Sequence, residues 1–176
     1  MTDQPTVPRD GLTYAEVGAT EGVLPDGFHH LQESREIGHG RAAFESASAT
    51  LLTWGMHRRA GVRRTGGPDR AVAGADVAFV WRTVKFECRV VSVVDEAVRR
   101  GFTYGTLARH PESGEERFMV TIDPASGTVT ASITAFSRPG SVLTRLGGPV
   151  ARLVQRRMTR RYLDALESAA RDGEPR

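Results

Sequence analysis

Cysteine is almost missing from this 176-residue chain, with Cys88 the single example. One thiol closes no intrachain disulfide and builds no thiolate zinc site, which excludes disulfide scaffolds and zinc modules together. Cys88 lies inside an apolar run and reads as a small buried hydrophobe rather than an activated nucleophile. The five histidines, His29, His30, His39, His57 and His110, fall in no HExxH or His-x-His pattern, so no metal is expected. Long apolar runs are lacking too, and nothing approaches the roughly 20 residues of a membrane span. The first residues, MTDQPTVPRDG, show neither the basic start nor the apolar stretch of a secretory leader, so a cytoplasmic location is expected. No GxSxG elbow and no full phosphate loop appear: Gly38-His39-Gly40-Arg41 supplies only part of a glycine motif. No cofactor is expected on those grounds.

Lysine is equally scarce. Of 24 basic residues only Lys85 is a lysine, and the net charge is +3. The excess is local, because residues 141–176 hold eight arginines against Asp164, Glu167, Asp172 and Glu174, or +4. Aromatic side chains for base stacking are not interleaved with these arginines, which makes nucleic acid an unlikely partner.

What the chain does contain is the periodicity of one α+β domain over residues 12–170, with flexible tails at 1–11 and 171–176. Phe44, Ala47, Leu51 and Trp54 recur at helical spacing and predict a helix over 41–60, stopped by Gly61 and preceded by a short strand. Residues 63–74, rich in glycine, proline and charge, read as a mobile loop. Period-two segments follow at 76–84, 86–95, 101–107, 115–122 and 128–136, and short connections make neighbours antiparallel. A last helix starts near Pro149, a residue suited to the first helical position. Its stripe is Val150, Leu153, Val154, Met158, Tyr162, Leu166 and Ala169, and Arg152, Arg156 and Arg160 step along another face toward Asp164 as an ion-pair partner. A curved antiparallel sheet wrapped on that helix satisfies the pattern, and such a shape leaves room for a cavity.

The stretch 101–122 reads as a hairpin. With Ala108 to Gly114 as its loop, Leu107 pairs with Glu115, Thr106 with Glu116, Tyr104 with Phe118 and Phe102 with Val120. Thr106 and Glu116 then share a face with Phe102, Tyr104, Phe118, Val120 and Ile122. A carboxylate on an apolar face either finds a partner, such as Arg138, His57 or Tyr104, or keeps its proton near neutrality. Glu116 is thus a structural anchor, a ligand contact or a general acid, and the residues alone leave the three open. His110, held by Pro111, and Glu112 sit in the loop as either exposed groups or a proton-transfer pair at a cavity mouth. Trp54 reads as core, His57 as a charged group favoured at a helix C-terminus, and Arg138 as either a surface cation or a buried partner.

Several segments carry a resemblance: LTYAEVGAT at 12–20, WGMH at 54–57, YGTLARHPESGEERF at 104–118, AFSRPG at 135–140 and RLGGPVARLVQRRMTRRYL at 145–163. Together they resemble a family of bacterial and plant proteins catalogued as domain of unknown function nineteen-ninety, which has no assigned reaction. The element order is similar to the helix-grip fold of START lipid-binding domains, pollen-allergen-like proteins and polyketide cyclases. That likeness implies a fold and leaves the function open. The expectation is a small-molecule pocket lined by Trp54, His57, Tyr104, Thr106, Glu112, Phe118 and Arg138, with Glu116 and His110 as candidates for acid/base chemistry such as cyclisation, dehydration or isomerisation. The alternative is a module that offers the arginine face of the last helix to nucleic acid or an acidic partner.

Overall fold

The computed structural model describes residues 11–140 and 148–173, with side chains of the last helix described from Leu153 onward. Apart from Gly11, the expected N-terminal tail lies outside those residues, as do 174–176 and the side chains of Val150 and Arg152. The elements run β1 (His29–His39), α1 (Gly40–Leu52), α2 (Gly55–Arg59), β2 (Val62–Gly66), β3 (Asp76–Trp81), β4 (Val84–Asp95), β5 (Arg99–Thr106), β6 (Glu112–Ile122), β7 (Thr128–Pro139) and α3 (Gly148–Gly173). The seven strands form one antiparallel sheet in the order β1-β7-β6-β5-β4-β3-β2. From β2 to β7 each strand pairs with the next through a hairpin, and β1 closes onto β7.

The core lies between one face of this sheet and the helices α1 and α3. Phe44 and Leu51 from α1, Phe79, Phe102, Phe118 and Ile133 from the strands, and Leu166 from α3 are all fully buried. Burying side chains of this size contributes on the order of 1.5–3 kcal/mol each, which is what holds the long helix on the sheet. Arg35 of β1 adds a clamp, meeting Asp164 at 2.6 Å and Glu167 at 3.2 Å. The expected Arg160–Asp164 pair is therefore not formed: Asp164 turns to the strand, and Arg160 stays exposed.

Three elements differ from the sequence expectations. The helix predicted over 41–60 is two helices, because Trp54 takes a left-handed backbone (φ 62°) between them. That conformation drops the indole into the core, 4.9 Å from the Phe102 ring centroid, while its N–H donates to the Pro68 carbonyl at 2.9 Å. The loop expected at 63–74 contains β2. As an edge strand it buries Val62 and leaves charged or small residues on the rest, so its alternation is masked. Finally, the strand before α1 is 11 residues long, and its mostly exposed surface hid its length.

The apolar stripe of α3 is also only partly used. Tyr162, Leu166 and Ala169 are buried, whereas Leu153 is 68% exposed and Val154 37%. The helix overhangs the sheet at that end.

Candidate functional site

The β5–β6 hairpin positions the site. Its register is Tyr104 with Glu116 and Phe102 with Phe118, two residues away from the predicted pairing, and Glu112 opens β6 instead of sitting in the loop. A shift of two preserves which face each side chain occupies. Phe102, Tyr104 and Phe118 therefore point to the core side, and Glu116 shares their face.

Glu116 does not meet an arginine or a histidine. Among the described residues its one hydrogen-bond partner is the Tyr104 hydroxyl, which donates to Oε2 at 3.1 Å. Burial pushes the carboxyl up to about 7, the nearby Glu112 carboxylate pushes the same way, and the Tyr104 hydrogen bond offsets part of it. Burial and the Glu116 charge raise Tyr104 and Tyr162 well above the ordinary phenol range, so both keep their protons. The result is an acid that exchanges its proton near neutral pH beside two phenols.

Glu116 and Tyr104 face a cleft of about 320 Å³ between the sheet and α3. Val62, Trp81, Val84 and Phe86 form one wall, and Val154, Gln155, Met158, Thr159 and Tyr162 of the helix form the other. His110, Pro111, Glu112, Ser137, Arg138 and Pro139 close the end where the hairpin loop meets β7. The volume falls in the range of about 300–1,000 Å³ typical of small-molecule sites, and the mixture of apolar walls with a few polar groups is equally typical.

The polar groups at the closed end are held by specific contacts. His110 Nδ1 sits against the Glu112 backbone, 3.0 Å from its N–H and 3.1 Å from its carbonyl oxygen. Burial lowers His110 to about 4, with the backbone contact to Glu112 opposing, and the ring stands edge-on to Phe86 at 5.1 Å. The proton-transfer pair expected of His110 and Glu112 does not form through the carboxylate: the histidine is tied to the Glu112 backbone. Burial raises the Glu112 carboxyl, and the Ser137 hydroxyl offsets it. Gln155 Nε2 donates to that hydroxyl at 3.3 Å and links the helix to the strand. Arg138 is an exposed cation stacked 4.6 Å over Phe28, and among the described residues it pairs with no carboxylate.

Four expected contacts sit elsewhere. Trp54, His57 and Phe118 are packed into the core beyond the cleft wall. His57 is fully buried in an aromatic cluster, parallel to Phe79 at 4.8 Å, and neither ring nitrogen has a hydrogen-bond partner among the described residues. Burial lowers it to about 3, so it is neutral, and the helix-dipole reading of a charged cap is corrected. Thr106 ties the hairpin end together: its hydroxyl lies 2.6 Å from that of Thr13 and accepts the Gly114 N–H at 3.0 Å.

The neighbour of Glu116 is a structural anchor that the sequence did not single out. Glu115, on the opposite face and 2% exposed, accepts from the Tyr14 hydroxyl (2.8 Å) and Gly18 N–H (2.8 Å) at Oε2. At Oε1 it accepts from Thr20 N–H (3.2 Å) and the Thr20 hydroxyl (2.6 Å). The segment before β1 is thereby fixed over this end of the sheet. Gly105 makes room for it, because a Cβ there would stand 2.1 Å from the Tyr14 hydroxyl. Sequence reasoning placed Glu115 only in the hairpin register, opposite Leu107. The available signal was the Tyr14, Gly18 and Thr20 set within LTYAEVGAT, which supplies its four donors.

Among the described residues no three His, Cys, Asp or Glu side chains converge as a metal site, and no helix is long and apolar enough to cross a membrane.

Comparison with known proteins agrees with this geometry. A UPF0548 protein of Deinococcus radiodurans is 34% identical over 173 residues, covering 90% of this chain and 87% of its own. In solved structures the same architecture recurs in a hypothetical protein of Helicobacter pylori (12% identity, TM-score 0.58, 97% of this chain and 99% of that one). It recurs also in norcoclaurine synthase from Thalictrum flavum, solved in complex with dopamine and hydroxybenzaldehyde (9% identity, TM-score 0.50, 85% and 90% covered). These likenesses establish a helix-grip type of α+β fold and nothing about activity. Residues 13–165 match the family described as Domain of unknown function (DUF1990), and the chain belongs to that family.

Proposed function

We propose that this protein binds a small molecule of mixed polarity in the cleft between sheet and C-terminal helix, with Glu116 as the central polar contact. The observation that carries this reading is a carboxyl facing a roomy cleft with, among the described residues, a single phenol as its partner and no cation beside it. Buried carboxyls without a charged partner are costly, and a binding role gives that cost a purpose. At neutral pH Glu116 both donates and accepts a proton, so general acid/base work of the isomerisation, dehydration or cyclisation type is the chemistry the cleft supports best. His110 is neutral and lines the same space. The working unit is proposed to be the single domain 12–170, and the free, buried Cys88 accords with a reducing, cytoplasmic setting.

The test is the pH dependence of binding of a neutral probe, decanol. An apolar molecule in the cleft strips water from Glu116 and so prefers its protonated form. Affinity should fall above pH 7, by up to about tenfold per pH unit, and the fall should vanish in Glu116→Gln. Decanol binding that ignores pH in the wild type would sink the role of Glu116; absence of binding at any pH would sink the cleft.

A further inference from the structure

A second groove, which the reading above does not use, lies against the helix wall of the cleft. This groove, of about 140 Å³, is lined by Trp81, Arg82, Val154, Arg157, Met158 and Arg161. Trp81, Val154 and Met158 belong to both cavities, so one wall serves the two. Three guanidinium groups thus line a groove that adjoins the mostly apolar cleft.

Among the described residues Arg82, Arg157 and Arg161 have no carboxylate partner, although Arg35, Arg59, Arg89 and Arg100 in the same molecule all find one. Arg82 sits at the β3–β4 turn in a left-handed backbone (φ 55°), its guanidinium 5.4 Å from the Trp81 ring. Arg157 and Arg161 are one helical turn apart on α3 and so present their charges on one face. Beside them Leu153 and Val154 are the part of the apolar stripe left exposed among the described residues. Uncompensated cations gathered around an apolar opening fit a ligand with a hydrocarbon body and a negative end.

Building on the cleft reading, we propose that the natural ligand is an amphipathic anion whose apolar body lies in the cleft toward Glu116 and whose carboxylate or phosphate head is held by Arg82, Arg157 and Arg161. The head stays at the water-facing end, where it keeps part of its hydration. The protonatable Glu116 meets the body and any hydroxyl or carbonyl on it, at the opposite end from the charge.

Decanoate and decanol test this, because they share a chain and differ in head charge. At pH 6 and low salt, below the micelle concentration, decanoate should bind about tenfold more tightly than decanol, as expected of a few partly exposed ion contacts. Added salt should shrink that preference. The Arg157→Gln/Arg161→Gln variant should lose it while binding decanol as the wild type does. Arg156→Gln/Arg160→Gln, which removes equal charge from the exposed row of α3, should keep it. Equal affinity for the two probes in the wild type overturns the anionic-head assignment and leaves the cleft standing; failure of both probes to bind removes the cleft and this proposal together. Vesicles separate a dissolved anion from a membrane. Sedimentation with phosphatidylglycerol but not phosphatidylcholine vesicles, together with no preference for decanoate, overturns the proposal in favour of a bilayer surface.

Discussion

Replacing Glu115 by Gln leaves the shape of the side chain intact and changes only what its second terminal atom can do. In the folded protein both carboxyl oxygens accept, two bonds each, from Tyr14, Gly18 and Thr20. An amide oxygen can keep one pair. The other pair then faces an NH₂ group, donor against donor, in a site only 2% exposed. Each buried donor left unpaired costs about 1–3 kcal/mol, and bonds to a charged acceptor are at the strong end of the range, so the loss should be about 3–5 kcal/mol. That is a large part of the roughly 5–15 kcal/mol that holds a domain folded. Urea unfolding measures it as a fall in midpoint at unchanged slope. Tyr14→Phe removes one of the four bonds and should cost about 1.5–3 kcal/mol. The double variant should cost less than the sum, because the two residues share one bond. A loss below about 1 kcal/mol in Glu115→Gln would show that the carboxylate does not hold the segment before β1.

Two further predictions concern protons. His57 is lowered to about 3 from an ordinary 6.5, so between those values the unfolded chain binds a proton that the folded chain refuses. Stability contributed by His57 is complete above pH 6.5 and falls by about 1.4 kcal/mol per unit as pH drops. His57→Phe, stacked on Phe79 in the same way, should flatten urea midpoints measured from pH 6.5 to 4; a pH dependence identical to the wild type would contradict the burial of a neutral ring. Glu116 has the opposite sign. Raised to about 7 from 4.5, it favours the folded state at low pH and takes roughly 3 kcal/mol away as pH climbs through that window. Glu116→Gln should therefore gain stability relative to the wild type at pH 8 and show little difference at pH 4.5, and equal differences at the two pH values would refute the raised carboxyl.

The sheet and the last helix were legible because the strands from β3 to β7 carry period-two patterns between turn residues and α3 carries a long stripe. The face that Glu116 occupies was legible too, even with the register wrong by two residues, since parity alone decides the face. β2 escaped because an edge strand needs only Val62 in the core. The break at Trp54 escaped because helical spacing continues through it, and only the pull of the indole into the Phe79–Phe102 cluster stops the helix. His110, Glu112, Glu116 and Arg138 were placed around one cavity and do surround one cleft. Trp54, His57 and Phe118 were expected there as well, yet they are core, because aromatic spacing reports burial and does not distinguish a cavity wall from the packing behind it. Glu115 was not singled out because its four donors come from Tyr14, Gly18 and Thr20, about 100 residues earlier in the chain, where no periodicity links them to the hairpin.

Met158 offers the most direct test of the cleft itself. Its side chain lines the cleft, whereas Met56 and Met119 are buried away from it. With carbon-13 on the methionine methyl groups, decanol should shift the Met158 signal progressively and saturably while Met56 and Met119 stay in place. A titration in which Met158 does not move, or in which all three move together, would contradict a binding site between the sheet and the C-terminal helix.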